Sequence, residues 1–200
     1  MTEIAFVKTQ DRAAGIEEAL DLLGFGGLDR QRVFLKPNFN SADPFPGSTH
    51  NDTLVALVRE LQARGASAIT VGDRSGMGDT RRVMEQKGVF RLAEELGVET
   101  LVLDELDADG WEMIDLPGSH WTQGFAVARP VLEADVVVQT CCLKTHRFGG
   151  HFTLSLKNTI GLVAKRVPGQ RHDYMRELHG SPHQRLMIAE IARYLGEITE

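Results

Sequence analysis

Cysteine is almost missing from this sequence: its 200 residues include only Cys141 and Cys142, which are adjacent. Neighbouring cysteines rarely form a disulfide without strain, and two thiols cannot supply the four ligands of a zinc site or an iron–sulfur cluster. The chain therefore carries no iron–sulfur cluster motif. We expect both cysteines to be reduced and buried as small hydrophobic residues.

Long apolar runs and an excess of positive charge are missing as well. No apolar run approaches the roughly 18 residues of a membrane span, and the N-terminus begins directly with a strand pattern, so we expect a cytoplasmic protein with no membrane partner. The net charge is −6, because 28 acidic residues outnumber 22 basic ones. Nucleic acids bind clustered Lys and Arg in excess, so we expect no nucleic-acid partner. A local cationic pocket is compatible with this balance, and no pattern indicates an oligomeric state.

Three ligand-binding motifs are also missing: the G-x-G-x-x-G dinucleotide fingerprint, the G-x-x-x-x-G-K-[ST] phosphate loop and the H-E-x-x-H metal motif. Seven histidines are present, and five of them fall between residues 146 and 183. Together with Asp73 they could ligate a divalent metal, but they could equally serve as general acids, contact a substrate or lie at the surface. The cofactor is therefore unknown: a divalent metal is one alternative, and no metal ligands are assigned.

What is present is an alternation of short apolar runs with longer helical patterns. The chain is 42% hydrophobic and 25% charged, which is typical of a globular protein, and its length suits one domain. Apolar and β-branched runs predict strands at residues 4–8, 32–36, 68–72, 98–103 and 135–139. Capping residues and apolar faces predict helices at residues 11–24, 51–65, 79–96 with a break at Gly88, 130–134, and from Ser181 onwards.

This order of elements predicts an α/β fold: a doubly wound, mostly parallel sheet with helices on both faces, in three layers. The irregular stretch 111–128 leaves open an antiparallel strand or hairpin. We expect residues 1–200 to form a single domain. A helix like the closing one normally leads into another strand, so the chain could lack C-terminal strands of a longer domain.

Polar residues follow three of the predicted strands, at the edge where parallel sheets bind ligands. Lys36 ends one strand, and because Pro37 keeps it extended, its ammonium can project into a cleft beside Asn38. Asp73 ends the next strand before a glycine-rich turn, and it could bind a ribose, a metal or an ammonium group, or act as a base. Each motif also has a structural interpretation, Lys36 as a solvated lysine at a loop start and Asp73 as a turn cap.

The segment after the 135–139 strand carries the strongest pattern. Lys144-Thr145-His146 comes first, and Gly149-Gly150 is expected to enter a helix that holds Lys157 and Asn158. Helix N-termini attract anions, and lysines add full positive charges at the same place. A purely structural interpretation would have to bury several cationic side chains near one another, so we favour a functional one.

A set of short motifs gives the chain a family resemblance. The motifs run in order from about residue 33 to 179: Leu35-Lys-Pro-Asn38, Thr49-His50, Gly72-Asp73-x-Ser75-Gly76, Ala134-Asp135-Val, Leu143-Lys-Thr-His146, Ser155-Leu-Lys-Asn158 with Gly161, and Arg176-x-x-His179. With these motifs the chain resembles the bacterial and archaeal family called domain of unknown function 362. Many of its members carry ferredoxin-like cysteine clusters beside this domain, so the resemblance implies an iron–sulfur partner as one alternative.

The leading hypothesis is an enzyme or enzyme domain that acts on a small carboxylate- or phosphate-bearing compound. We expect Lys36, Asp73 and Lys144 to meet around one cationic, histidine-containing cavity at the carboxyl edge of the sheet. The residues assigned to catalysis are His146, Lys144 and Asp73. The residues assigned to ligand binding are Lys36, Asn38, His50, Ser75, Lys157, Asn158, Arg176 and His179. The alternative is a non-catalytic anion- or cofactor-binding module, or an accessory to an iron–sulfur redox partner.

Overall fold

The computed structural model of the chain describes residues 3–146 and 150–198, and the side chains of all of these except 146, 150–153, 197 and 198. The first half contains α1 (Arg12–Leu22), β1 (Arg32–Lys36), α2 (Asn51–Ala63), β2 (Ala68–Asp73), α3 (Thr80–Gln86), α4 (Val89–Leu96) and β3 (Glu99–Val102). The second half contains β4 (Trp111–Ile114), β5 (Phe125–Ala128), α5 (Arg129–Leu132), β6 (Val136–Gln139), β7 (Lys144–His146), β8 (Gly150–Thr153), α6 (Ser155–Asn158), α7 (Tyr174–Gly180) and α8 (Gln184–Ile198).

Four parallel strands form the central sheet in the order β3-β2-β1-β6. The residues of β1 alternate between its two faces: Phe34 belongs to an apolar core with β5 and α8, whereas Val33 and Leu35 belong to a second core with α2. Because both faces of β1 are covered, its sequence is apolar at successive positions. Within residues 111–128, β4 and β5 form an antiparallel pair. The predicted α/β fold, with helices around a parallel sheet and an added antiparallel pair, is confirmed.

Side-chain caps and one glycine set the helix boundaries in the first half of the chain. Asp11 begins α1, because its carboxylate accepts hydrogen bonds from the amides of the first turn. Asp79 begins α3 in the same way. Gly88 has a φ of 68° and separates α3 from α4, as predicted. The cap of α2 is His50, whose Nδ1 accepts a hydrogen bond from an amide of the first turn, so the helix begins at Asn51 as predicted.

The order of the strands reverses next to β1. From β1 the chain continues through β2 to β3 on one side of the sheet, whereas β6 pairs with the other side of β1. This pairing brings the last residues of β1 and β6, Lys36 and Gln139, side by side. In open parallel sheets, ligands bind beyond the carboxyl ends of the strands at such a reversal. The polar segments of this chain leave the sheet at that point.

Two predicted strands differ from the structure. Residues 4–8 form no strand, and the side chains of Ile4 and Phe6 are 87% and 89% exposed. An alternating pattern makes a strand only where a neighbouring strand supplies backbone hydrogen bonds, and no described strand pairs with this segment. The 98–103 strand is shorter than predicted, because Leu103 begins a 3₁₀ turn directly after β3.

The segment that follows Gly149-Gly150 was predicted to be a helix, and this prediction is wrong. Gly150 instead opens β8, which pairs antiparallel with β7 so that Lys144 lies opposite Thr153. The helix α6 begins only at Ser155 and has four residues. Lys144 is therefore presented by a hairpin rather than by a helix N-terminus, and Gly149 lies outside the described residues. No helix within residues 3–146 and 150–198 has both the length and the apolarity needed to cross a membrane.

Candidate functional site

One cavity of about 80 Å³ lies at the carboxyl ends of β1 and β2, where the strand order reverses. Its wall is strongly cationic: the charged residues that line it are Lys36, Asp73, Arg74, Lys144 and Lys157. Asp73 is the sole acid among the described lining residues. The structure therefore brings together three segments that are far apart in the sequence. Their meeting point follows from the parallel pairing of the strands that precede them.

A buried ion pair forms the floor of the cavity. Lys36 Nζ lies 2.6 Å from Asp73 Oδ1, and the two side chains are only 2% and 1% exposed. Lys36 also donates to the carbonyl of Pro37 at 2.7 Å and to Asn158 Oδ1 at 3.1 Å. These contacts use all three ammonium protons. Burial lowers the pKa of Lys36, and the neighbouring carboxylate raises it in part.

The Asp73 carboxylate is bound from several directions. Besides Lys36 it accepts hydrogen bonds from the amide of Phe39 at 2.7 Å and from its neighbour, the amide of Arg74, at 2.6 Å. Asn158 completes the arrangement, because its Nδ2 donates to the carbonyl of Thr140 at 3.1 Å, beyond the end of β6. The ion pair and Asn158 thus fasten the ends of three strands together. Both candidate roles, catalysis for Asp73 and ligand binding for Lys36, would require one of these contacts to be exchanged.

Gly161 allows the 3₁₀ turn at Thr159–Leu162 to lie directly on this ion pair. A Cβ atom at Gly161 would lie 2.5 Å from Lys36 Cε and 2.7 Å from its Nζ. Such distances are too short for non-bonded contacts, so any larger residue must displace the turn or the pair. Glycine is therefore favoured at this position for steric reasons.

Replacing Gly161 by Ala should lower the free energy of unfolding by about 1–3 kcal/mol, because the added methyl group overpacks a buried site. Urea denaturation measures this cost. Gly196→Ala is the matched control, since Gly196 lies in α8 with no atom within 4 Å of the added Cβ, and alanine in a helix is favoured over glycine by about 0.5–1 kcal/mol. Equal effects of the two substitutions would contradict the close approach described here.

Arg74 is a site residue that the sequence reasoning passed over. Its side chain is 3% exposed, and its guanidinium donates to the carbonyl of Val163 at 2.7 Å and to that of Ile160. No carboxylate within the described residues forms an ion pair with it. Burial lowers the pKa of Arg74, and the negative charges of Asp104 and Asp73 raise it in part. The signal available in the sequence was a charged residue directly after the buried strand β2.

Lys157 is the second positive charge without a counter-ion. It is half-buried, and its ammonium has no hydrogen-bond or ion-pair partner among the described residues. Burial lowers the pKa of Lys157, and the nearby charges of Lys144 and Arg74 lower it further. Lys144 itself donates a hydrogen bond to the carbonyl of Gly47. The cavity therefore carries a net positive charge.

Two amide side chains and two thiols also line the cavity. The side chains of Asn38 and Asn40 line the cavity and make no hydrogen bond to the described residues, so their donors and acceptors are available to a ligand. Cys141 and Cys142 are free thiols that also line the cavity. Burial raises the pKa of both thiols, which favours their protonated and unreactive form.

Several residues assigned to the site from the sequence lie elsewhere. Ser75 is fully buried, and its hydroxyl donates a hydrogen bond to the carbonyl of Asn40 at 2.7 Å. His50 caps α2 and does not line the cavity. Arg176 lines a separate depression on α7, and His179 contacts the carbonyl of Met175 through Nδ1. The backbone of His146 ends β7, whereas its side chain lies outside the described part of the chain.

Among the described side chains, no group of three or more His, Cys, Asp or Glu residues is arranged to hold a metal ion.

Comparison with known proteins identifies the family. No curated protein and no solved structure matches the chain. A family model described as a domain of unknown function, DUF362, matches residues 33–199, a range that includes every cavity residue named above. The resemblance drawn from the short motifs is thus confirmed, and the chain belongs to the DUF362 family.

Proposed function

We propose that the cavity binds a small anion, and that this anion is the carboxylate or phosphate group of a compound on which the chain acts as an enzyme domain. The observation that carries the proposal is a pair of positive charges, on Arg74 and Lys157, that line one cavity without a carboxylate partner among the described residues. A buried cation without a counter-ion costs several kcal/mol. A bound anion would remove much of this cost, so its binding is favoured here over binding at the open surface.

The size of the cavity supports a small ligand. Its volume of about 80 Å³ is well below the roughly 300 Å³ or more of sites for drug-sized molecules. A nucleotide or a larger cofactor would therefore place most of its atoms outside the cavity. A carboxylate or phosphate group with a few attached carbon atoms is a suitable occupant.

The contacts divide the lining residues into two groups. Arg74, Lys144 and Lys157 are available to neutralise the anion, and the side-chain amides of Asn38 and Asn40 are available to orient it. Lys36 and Asp73 bind one another and, with Asn158, hold the strand ends in place. In the proposed function these three residues therefore position the site rather than bind the anion. The acid–base role of His146 and the cytoplasmic location stay predictions from the sequence.

A non-catalytic anion-binding module is the second candidate, and the saturated ion pair favours it. Asp73 was the carboxylate assigned to catalysis, but it already receives an ammonium group and two amides. A general base must be free to accept a proton from a substrate. A module that only binds an anion needs no such group. Turnover of a bound compound, which a binding module lacks, separates the two candidates.

Phosphate or acetate should raise the melting temperature of the protein by about 5–10 °C at saturation, since a ligand at roughly 100 times its Kd contributes about 2.7 kcal/mol. Lys157→Met should weaken this binding about 10–100-fold, because a hydrogen bond to a charged group is lost. Differential scanning fluorimetry at constant ionic strength measures both effects.

Lys87→Met is the matched control for this experiment. Lys87 is also half-buried with a pKa lowered by burial, but it does not line the cavity. Its replacement should leave the shift caused by phosphate unchanged. The proposal fails if neither anion shifts the wild-type melting temperature, or if Lys157→Met and Lys87→Met respond to phosphate alike.

A further inference from the structure

The three lysines of the cavity have different environments. Lys36 uses all three ammonium protons on Asp73, Pro37 and Asn158. Lys144 donates to the carbonyl of Gly47. Lys157 lines the same cavity, and its ammonium contacts no acceptor among the described residues. It is therefore the lysine of the described cavity wall whose ammonium is held by no internal hydrogen bond.

The surroundings of Lys157 make it easier for its ammonium group to lose a proton than for a lysine in water. Its side chain is half-buried, Leu154 and Ile160 add apolar surface to the same cavity wall, and the charges that act on it, those of Lys144 and Arg74, are positive. Desolvation and adjacent positive charges are the two conditions that turn a lysine into a nucleophile. The lowered pKa of Lys157 has these same two causes.

The other lining groups are less suited to covalent chemistry. The Asp73 carboxylate is bound by Lys36 and by two backbone amides. The thiols of Cys141 and Cys142 have pKa values that burial raises, so they stay protonated. Arg74 carries its charge permanently and is not a nucleophile. The amine of Lys157 is thus the reactive group that the described wall offers.

We propose that Lys157 forms an imine with the carbonyl group of a small 2-oxo acid held in this cavity. The inference rests on the proposed function and adds the class of substrate. The guanidinium of Arg74 and the ammonium of Lys144 bind the carboxylate, which places the adjacent carbonyl carbon next to the amine of Lys157. The side-chain amides of Asn38 and Asn40 are available to the carbonyl oxygen.

The reaction balances without an oxidant or a reductant. The nitrogen lone pair of neutral Lys157 attacks the carbonyl carbon, the C–O π bond breaks, and a carbinolamine forms. The nitrogen loses two protons in all. These protons leave with the former carbonyl oxygen as water, and a C=N bond remains. A 2-oxo acid is the smallest class of compound that offers both an anion for the cationic wall and an electrophilic carbon for the amine.

Borohydride trapping of the full chain tests the inference. The protein is incubated with pyruvate or glyoxylate, sodium cyanoborohydride is added, and digested peptides are analysed by mass spectrometry. Hydride transfer to the imine carbon gives a stable secondary amine on the lysine concerned. We expect Lys157 to be labelled at least about tenfold more than Lys87, since Lys157 lines the anion-binding cavity and Lys87 does not. Acetate, which has the carboxylate but no ketone or aldehyde, should compete and reduce the label.

One further variant makes the result decisive. Lys157→Arg keeps a positive charge but removes the nucleophilic amine, so it should lose the label. Labelling of Lys157 no stronger than of Lys87, or an undiminished total label in Lys157→Arg, would overturn the imine. If the imine is overturned in this way but phosphate and pyruvate still raise the melting temperature of the wild-type protein, the anion site stands and the imine alone is wrong. If neither anion binds and no selective label forms, both proposals fail.

Discussion

Lys36→Met should lower the free energy of unfolding by about 3–5 kcal/mol, which is the cost of breaking a buried ion pair by removing one partner. The substitution leaves the Asp73 carboxylate 1% exposed and without its cation. It also removes the donor to Asn158 Oδ1, and with it a link between β1 and α6. Chemical denaturation monitored by circular dichroism measures the change.

A double variant and a surface pair show that the effect belongs to the buried contact. Lys36→Met with Asp73→Asn should cost less than the sum of the two single variants by about 1–3 kcal/mol, because the second change removes the unpaired charge. Lys165→Met breaks a more exposed pair with Asp104, 3.2 Å long, and should cost no more than about 1 kcal/mol. Strict additivity of the single variants, or a Lys36→Met cost as small as that of Lys165→Met, would contradict the stabilising role of the pair.

The parts of the fold that the sequence predicted are those with strong local signals. β1 was predicted at its observed bounds, because Val33, Phe34 and Leu35 are apolar at successive positions and Lys36 follows them. Asp11 and Gly88 set helix boundaries through their own side chain or backbone, so they could be recognised without the tertiary structure. The 4–8 segment has the pattern of a strand, but a strand depends on a partner that no local pattern reveals.

The meeting of the site segments was predictable for a similar reason. Parallel strands end at one edge, so residues that follow β1 and β2 must lie close together. The pairing of Leu35 with Val71 then brings Lys36 and Asp73, at the two strand ends, within reach of each other. What the sequence could not show is that these two groups bind one another. Lys36 was expected to face a ligand; in the structure its ammonium contacts Asp73, Pro37 and Asn158.

Arg74 was missed because its surroundings come from distant parts of the chain. The carbonyls that bind its guanidinium belong to Ile160 and Val163, and the sulfur of Met175 adds a third contact at 3.3 Å. These residues follow Arg74 by 86, 89 and 101 positions. A lone arginine in a glycine-rich turn is usually solvent-exposed. Only the tertiary structure shows that this one is buried in the wall of the cavity.

Arg74→Met should lower the free energy of unfolding by about 3 kcal/mol, because two buried carbonyls lose a charged donor. It should also reduce the affinity for phosphate by at least about 100-fold, since a charge-assisted contact in a desolvated site is lost. Isothermal calorimetry at a temperature where the variant is folded separates the second effect from the first. Both effects come from one side chain, because Arg74 both anchors the 3₁₀ turn at Thr159–Leu162 and lines the cavity.

Two arginine controls separate charge, hydrogen-bond geometry and location. Arg74→Lys keeps the charge but loses the planar fork, so it should cost nearly as much stability as Arg74→Met and only about tenfold in phosphate affinity. Arg176→Met removes an exposed arginine outside the cavity and should change neither quantity beyond about 0.5 kcal/mol. Phosphate binding by Arg74→Met at wild-type strength would show that the anion does not contact the guanidinium. A loss of phosphate binding in Arg176→Met would instead support the ligand-binding role that the sequence predicted for Arg176.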